Sequence, residues 1–159
     1  MHYDHDHAGG VHGYAREGAS LPPLRSTDAT RTLALGGGPV APVKERAFAD
    51  VVIGDATRTS RVDLGNRVVE LIPLRGHTAS DLAIVDHDAA ITFAGDLLWN
   101  GMCPNFVDAT PSQLMASMTQ LSTRSRHAFV PGHGGIADRT SVARYRDLLS
   151  DLGVGTRRA

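Results

Sequence analysis

The alternation of apolar and polar residues changes character along the chain. Between residues 51 and 94, apolar residues recur with the two-residue period of strands that bury one face. Beyond residue 110, they recur at the spacing of amphipathic helices. Strands followed by helices that can pack outside them predict a single layered α/β domain spanning residues 1–159.

The period-two segments predict a mostly antiparallel sheet. A Leu-Gly-Asn-Arg turn after residue 63 joins two of the strands into a hairpin. The predicted strands are Val51–Ile53, Thr57–Leu64, Val68–Leu74, Leu82–Val85, Ala90–Ala94 and Ala128–Val130. We expect the inner face of this sheet to carry Val68, Leu71, Ile84 and Ile91.

Capping residues and glycines mark the ends of the predicted helices. Thr27-Asp28 and either Asp138 or Thr140 are N-cap candidates, and Pro111 suits a first helical position. Gly153 is expected to close the last helix. The predicted helices cover residues 8–18, 29–35, 44–47, 111–122 and 139–152.

Composition and charge exclude several classes of protein. Hydrophobic residues make up 42% and charged residues 21%, which is typical of a globular chain. The net charge of −1 offers no basic field, so we expect no nucleic-acid partner. No apolar run approaches the ~20 residues of a membrane span, and no secretory signal is visible, which leaves the cytoplasm as the default for this chain. The single cysteine, Cys103, excludes a disulfide framework.

Histidine and aspartate are the unusual residues. The chain has 8 His, and Asp outnumbers Glu 14 to 3. Imidazole and carboxylate groups bind Zn²⁺, Fe and Mn, and glycine lets the chain turn sharply beside a ligand. The residues recur at or near predicted strand ends, so the set predicts a two-metal site. The four motifs are His2-x-Asp4-x-Asp6-His7, Gly76-His77-Thr78, Ala94-Gly95-Asp96 and Pro131-Gly132-His133-Gly134.

In this order, the motifs resemble those of the metallo-β-lactamase-fold hydrolase superfamily. The usual first motif there is His-x-His-x-Asp-His, followed by Gly-His-Thr, Gly-Asp and a late Gly-His. The segments DLGNRVVELIPLRGHTASDLAIV, ITFAGDLLWNG and FVPGHGG are similar to those of a bacterial branch whose first motif is HxDxDH. The resemblance implies an αββα sandwich.

The resemblance also implies which residues bind metal. Asp4 stands where His is usual, and its harder oxygen raises the relative fit for Fe or Mn, although zinc remains the default. The implied ligands are His2, Asp4 and His77 for the first metal, Asp6, His7 and His133 for the second, and Asp96 bridging the two.

The implied activity is hydrolysis of a small molecule. A hydroxide held between two zinc ions would attack the carbonyl carbon of an ester, thioester, lactone or amide. Asp6 would orient this nucleophile or pass its proton to the leaving group. The segment Leu97–Met102 is a candidate pocket wall, with packing of Trp99 into the core as the alternative.

One departure from the superfamily bears on the fold. Its members have several strands before the first motif, where this sequence has only Met1. We therefore expect an incomplete N-terminal half-sheet, an exposed apolar face and self-association. Two alternatives to a hydrolase stay open: an iron-containing redox member of the same fold, and a non-catalytic remnant.

Overall fold

The segments with alternating apolar residues between positions 60 and 134 form the central sheet of the molecule. The computed structural model describes residues 5–8, 25–35, 52–53, 58–124 and 128–155. The strands are β1 (Ser26–Thr27), β2 (Val52–Ile53), β3 (Ser60–Asp63), β4 (Val68–Leu74), β5 (Asp81–Asp86), β6 (Ile91–Asn100) and β7 (Ala128–Gly134). The helices are α1 (His5–Ala8), α2 (Asp28–Leu35), α3 (Pro111–Arg124) and α4 (Arg139–Gly155).

The five strands β3 to β7 lie side by side in chain order. The first three pairs are antiparallel, as predicted, and β6 pairs with β7 in parallel. The predicted hairpin is confirmed: the Leu64 amide donates to the Arg67 carbonyl at 2.8 Å, and Gly65 has a φ of +97°. That left-handed conformation favours glycine, which explains the Gly-Asn turn. Strands β1 and β2 form a separate parallel pair.

Strands β6 and β7 extend further than their sequence pattern predicts. The Gly95-Asp96 and Pro131-Gly132 pairs suggest strand ends at 94 and 130, but the strands continue to Asn100 and Gly134. The register of this pair shifts on both sides of Gly95. The strands are therefore paired irregularly at the glycine and pair again beyond it. Residues predicted to follow the strands therefore lie within them.

Side-chain caps fix the helix starts. Thr27 accepts the Thr30 amide at 3.0 Å before α2, and Asp138 accepts the Ser141 amide at 2.7 Å before α4. The bonds from Ser141 hold the pKa of the Asp138 carboxyl below its usual range. Helix α4 continues past Gly153 to Gly155, so the predicted stop at Gly153 is wrong.

Two predicted helices fall outside this description: residues 44–47, and residues 8–18 apart from Ala8. The short helix α1, which carries part of the first motif, was not predicted. None of the helices in the described ranges is long and apolar enough to cross a membrane.

One face of the sheet packs against α3 and α4 and forms the main core. Large side chains from both layers are less than 2% exposed there. Phe129 is the bulkiest of them. The core also contains Ile72, Val85, Leu97, Leu98, Leu114, Met118, Leu121 and Leu149.

The opposite face carries a second apolar layer. Leu71 and Ile84 lie there in register, as predicted, and Leu82 packs with them. Val68 was predicted on this face, and that prediction is wrong. Alternation along β4 puts Val68 on the side of Ile72, where it is 44% exposed. An open cleft of about 700 Å³ runs over the apolar layer and reaches His7.

We expect the helix-covered core to dominate stability. Met118 is completely buried in it, whereas Met102 is half exposed in a loop. Met118→Ala should lower the free energy of unfolding by about 2–5 kcal/mol because it leaves a cavity. Met102→Ala, the matched control, should change it by less than about 0.5 kcal/mol. Chemical denaturation of both variants tests this, and equal effects would contradict the assignment of the core.

We also expect the apolar cleft to bind a hydrophobic dye such as anilinonaphthalene sulfonate. Phe93 lines the cleft and is 41% exposed. Phe93→Thr keeps a strand-forming residue and should reduce dye fluorescence, whereas Val107→Thr, at an exposed position outside the cleft, should not. Unchanged fluorescence in Phe93→Thr would show that the dye does not use this face. The predicted self-association should weaken in the same variant.

Candidate metal centre

Asp96 lies within β6, at the irregular part of its pairing with β7. Gly95 has a φ of +56°, in the left-handed region, and the register shifts on both sides of it. Such irregularities re-aim side chains and are common beside active sites. The Asp96 side chain is only 3% exposed. Its carboxylate is thus held inside the molecule, where it meets histidines from three separate segments.

Three imidazoles surround this carboxylate. His7 places its Nε2 atom 2.9 Å from Asp96 Oδ1. His77 and His133 place theirs 3.3 Å and 3.4 Å from Asp96 Oδ2. The histidines come from α1, from the loop after β4 and from β7. One oxygen therefore faces a predicted ligand of the second metal, and the other oxygen faces predicted ligands of both metals.

Asp6 closes the group on its open side. Its Oδ2 atom lies 3.1 Å from His133 Nε2 and 3.6 Å from His7 Nε2. One donor atom from each of Asp6, His7, Asp96 and His133 lies within 4.8 Å of the others. The Asp6 side chain is 52% exposed and that of His133 is 32% exposed, against 4% for His77. The cluster is therefore buried on one side and reachable from solvent on the other.

Five of the seven predicted ligands thus meet at one point. The remaining two, His2 and Asp4, lie outside the described residues. That these five side chains bind metal is a prediction from their chemistry. Three imidazoles and two carboxylates match the nitrogen and oxygen donors that Zn²⁺, Fe and Mn take in proteins.

The loop that carries His77 is held by Asp81, a residue that the sequence analysis missed. The Asp81 carboxylate accepts the backbone amides of His77 and Thr78 at 2.9 and 3.0 Å, and the Thr78 hydroxyl at 2.8 Å. Gly76 lets this loop approach α3, because a Cβ there would collide with the Leu114 backbone. A short acidic side chain that reaches back three or four residues is the signal that could have identified Asp81.

Gly132 makes room for Asp96. A Cβ atom at this position would overlap Asp96 Oδ1. The glycine of the Pro-Gly-His-Gly motif therefore has a steric role: it lets β7 run beside the carboxylate that His133 contacts.

Trp99 covers the imidazoles on another side. Its ring stacks on His133, with centroids 4.2 Å apart and planes 28° apart. The same ring lies 6.1 Å from the ring of His77. The Trp99 ring borders the cluster and also packs against the core, in which Leu97 and Leu98 are completely buried. That the segment Leu97–Met102 forms a pocket wall stays a prediction.

Tyr145 of α4 is a buried neighbour of the cluster. Burial raises the pKa of its phenol, and the negative charge of Asp96 raises it further. The phenol therefore stays protonated at physiological pH and cannot serve as a base.

The comparisons with known proteins agree with this architecture. Residues 2–144 match the family model of the metallo-beta-lactamase superfamily, so the chain belongs to that superfamily. In structure, it resembles a metallo-beta-lactamase from Pontibacter korlensis with a TM-score of 0.75 and 23% identity, over 94% of this chain and 66% of that one. The DIM-1 metallo-beta-lactamase gives a TM-score of 0.73 and 20% identity, over 95% and 65%. The predicted α/β metallo-β-lactamase fold is confirmed.

Two relatives share the name hydroxyacylglutathione hydrolase. The one from Stenotrophomonas maltophilia is 34% identical over 126 residues, which cover 76% of this chain and 39% of the relative. The one from Yersinia enterocolitica is 26% identical over 121 residues, covering 76% and 40%. The chain therefore spans about two-fifths of the length of these relatives.

We expect Gly132→Ala to damage the site selectively, because the added methyl group displaces the Asp96 carboxylate. Loss of a residue that supports a metal ligand typically costs about 10–100-fold in metal affinity, and zinc affinity should fall by at least this much. Gly135→Ala is the matched control, since a Cβ there meets open space. Calorimetric zinc titration of both variants provides the measurement. Equal affinities would contradict the placement of Asp96 against Gly132.

Proposed function

We propose that the chain is a metal-dependent hydrolase whose site holds two divalent cations, zinc by default. The observation that carries the proposal is the buried Asp96 carboxylate, which lies 2.9 Å from His7 through one oxygen and 3.3 Å from His77 through the other. A carboxylate that lies beside members of both predicted ligand groups, with His7 near one oxygen and His77 and His133 near the other, is suited to bridging two cations. Membership of the superfamily supports the same proposal.

The ligands divide as the resemblance implies. His77, with His2 and Asp4, would hold the first cation. Asp6, His7 and His133 would hold the second, and Asp96 would bind both. The described members fit this division, since Asp6 contacts His7 and His133, the two histidines of its own group. When bound, the cations supply Lewis acidity: they polarise a carbonyl group and lower the pKa of water to about 7.

The side chains have separable tasks in hydrolysis. Buried Asp96 and the three imidazoles keep a fixed geometry, which lowers the cost of reorganisation during the reaction. Asp6 is half exposed, so it can contact both the site and an entering substrate. We assign to its carboxylate the proton of the attacking water. That proton then passes to the leaving group, as the bond between the acyl carbon and the leaving atom breaks and the bond to the water oxygen forms.

The substrate class is an activated acyl compound: an ester, thioester, lactone or amide. Thioesters are the first to test, because the relatives are named for hydrolysis of hydroxyacylglutathione. The solvent-facing side, with Asp6 and His133, is the side from which a small-molecule substrate can approach.

The proposal is tested by metal analysis combined with a substrate panel. The purified chain should contain two metal ions, and chelation should abolish hydrolysis of at least one substrate among a thioester, an ester, a lactone and a β-lactam. Zinc should restore that activity. Bound iron with visible absorption, together with redox turnover, would favour the redox alternative. A chain loaded with two metals that hydrolyses none of the panel would contradict the proposal and favour the non-catalytic alternative.

Removal of the bridging carboxylate should cost more than removal of Asp6. Asp96→Ala should lose both metals. Its activity should fall by more than about 100-fold, because loss of a ligand costs more than loss of a residue that only supports a ligand. Asp6→Ala should retain about one metal ion, because the first ligand group is intact. Asp151→Ala, exposed on α4, is the control. Metal content after dialysis gives the result, and equal losses in the first two variants would remove the bridging role.

A further inference from the structure

Trp99 is the single tryptophan of the chain and stands three residues after Asp96. It faces His133 directly in the register of β6 and β7. The two rings are stacked, with centroids 4.2 Å apart and an interplanar angle of 28°. Strand pairing therefore sets one aromatic ring against a predicted metal ligand and fixes their separation.

The same indole ring also borders the other predicted ligand group. Its centroid lies 6.1 Å from that of His77, with the planes tilted by 47°. Trp99 is thus the described residue whose aromatic ring lies beside imidazoles assigned to both cations. Asp96 is the carboxylate that likewise lies beside imidazoles of both groups.

The flat face of the indole, rather than its N–H group, makes the contact with His133. The Nε1 atom is buried and has no hydrogen-bond partner among the described residues. Packing against the main core holds the ring in place. A phenylalanine could therefore preserve the stack, whereas an aliphatic side chain could not.

His133 needs such support. Its side chain is 32% exposed, and its contacts in the cluster lie at the Nε2 end, toward Asp6 and Asp96. Those contacts do not fix the tilt of the imidazole ring, whereas the stacked indole restricts it. An imidazole that shares electron density with a cation also becomes electron-poor, which favours its contact with the electron-rich indole face.

We propose that Trp99 is a positioning residue of the metal centre: it holds the ring of His133, and to a smaller extent that of His77, in the orientation that binds metal. This inference rests on the proposed function, because it presumes that these imidazoles bind cations. It assigns no chemical step to Trp99. It predicts that the stronger effect of its loss falls on the cation held by His133.

The test compares Trp99→Leu, Trp99→Phe and Phe106→Leu. Phe106 packs against the same core as Trp99, so Phe106→Leu controls for loosened packing. Calorimetric zinc titration should show that Trp99→Leu weakens binding by about 10–100-fold, as loss of an outer-shell partner does. Trp99→Phe should recover most of this affinity, and Phe106→Leu should retain it. The visible absorption of the Co²⁺-loaded chain should change in Trp99→Leu only.

The fluorescence of the metal-free chain tests the stack independently. As the single tryptophan, Trp99 is the sole source of indole emission, so His133→Ala should change that emission and His87→Ala should not. Added Co²⁺ should quench the unsubstituted chain in proportion to occupancy.

The possible failures are distinguishable. Unchanged zinc affinity in Trp99→Leu, or an equal loss in Phe106→Leu, would overturn the positioning role and leave the proposed function intact. Indole emission that does not change in His133→Ala would contradict the stacking of Trp99 on His133. An unsubstituted chain that binds no zinc and no cobalt would overturn the proposed function and this inference together.

Discussion

The site is organised around one buried carboxylate, that of Asp96, in contact with three imidazoles. A buried charge is costly unless it is paired and hydrogen-bonded, so the surrounding structure must supply partners at close range. His7, His77 and His133 do so from three parts of the chain, each within 3.4 Å. Because these partners are far apart in sequence, the site exists only when the sheet, the loop after β4 and α1 are all in place.

Several local features serve this contact. The irregular pairing at Gly95 re-aims Asp96, and Gly132 leaves the space that its carboxylate occupies. Asp81 fixes the backbone of the His77 loop. Trp99 covers the two imidazoles from the strand that carries Asp96. Each feature is a strand or loop irregularity with a steric or hydrogen-bonding reason at the site, which is where such departures are expected.

The sequence predicted the elements that follow simple periodicity. Strand β4, the hairpin turn and the start of α3 agree with their patterns, because one buried face and one turn signal decide each of them. The Gly-His-Thr, Gly-Asp and Gly-His motifs also indicated which side chains would meet. Val68 was misplaced because a single apolar residue at a strand edge does not define which face it occupies.

Other features depend on tertiary contacts that periodicity cannot contain. Strand β6 continues past Gly95 because β7 pairs with it there, and no local signal distinguishes such a bulge from a strand end. The stack of Trp99 on His133 follows from the register of two strands that are separated by a helix. The role of Asp81 depends on backbone amides that become available only when the loop after β4 has formed.

The most direct test is anomalous diffraction from crystals of the zinc-loaded chain. The account predicts two zinc peaks roughly 3.5–4 Å apart. Each should lie within about 2.0–2.2 Å of an Asp96 oxygen, one near His77 and the other near His7 and His133. A single peak, or two peaks without an Asp96 ligand, would contradict the central claim that this carboxylate bridges two metals.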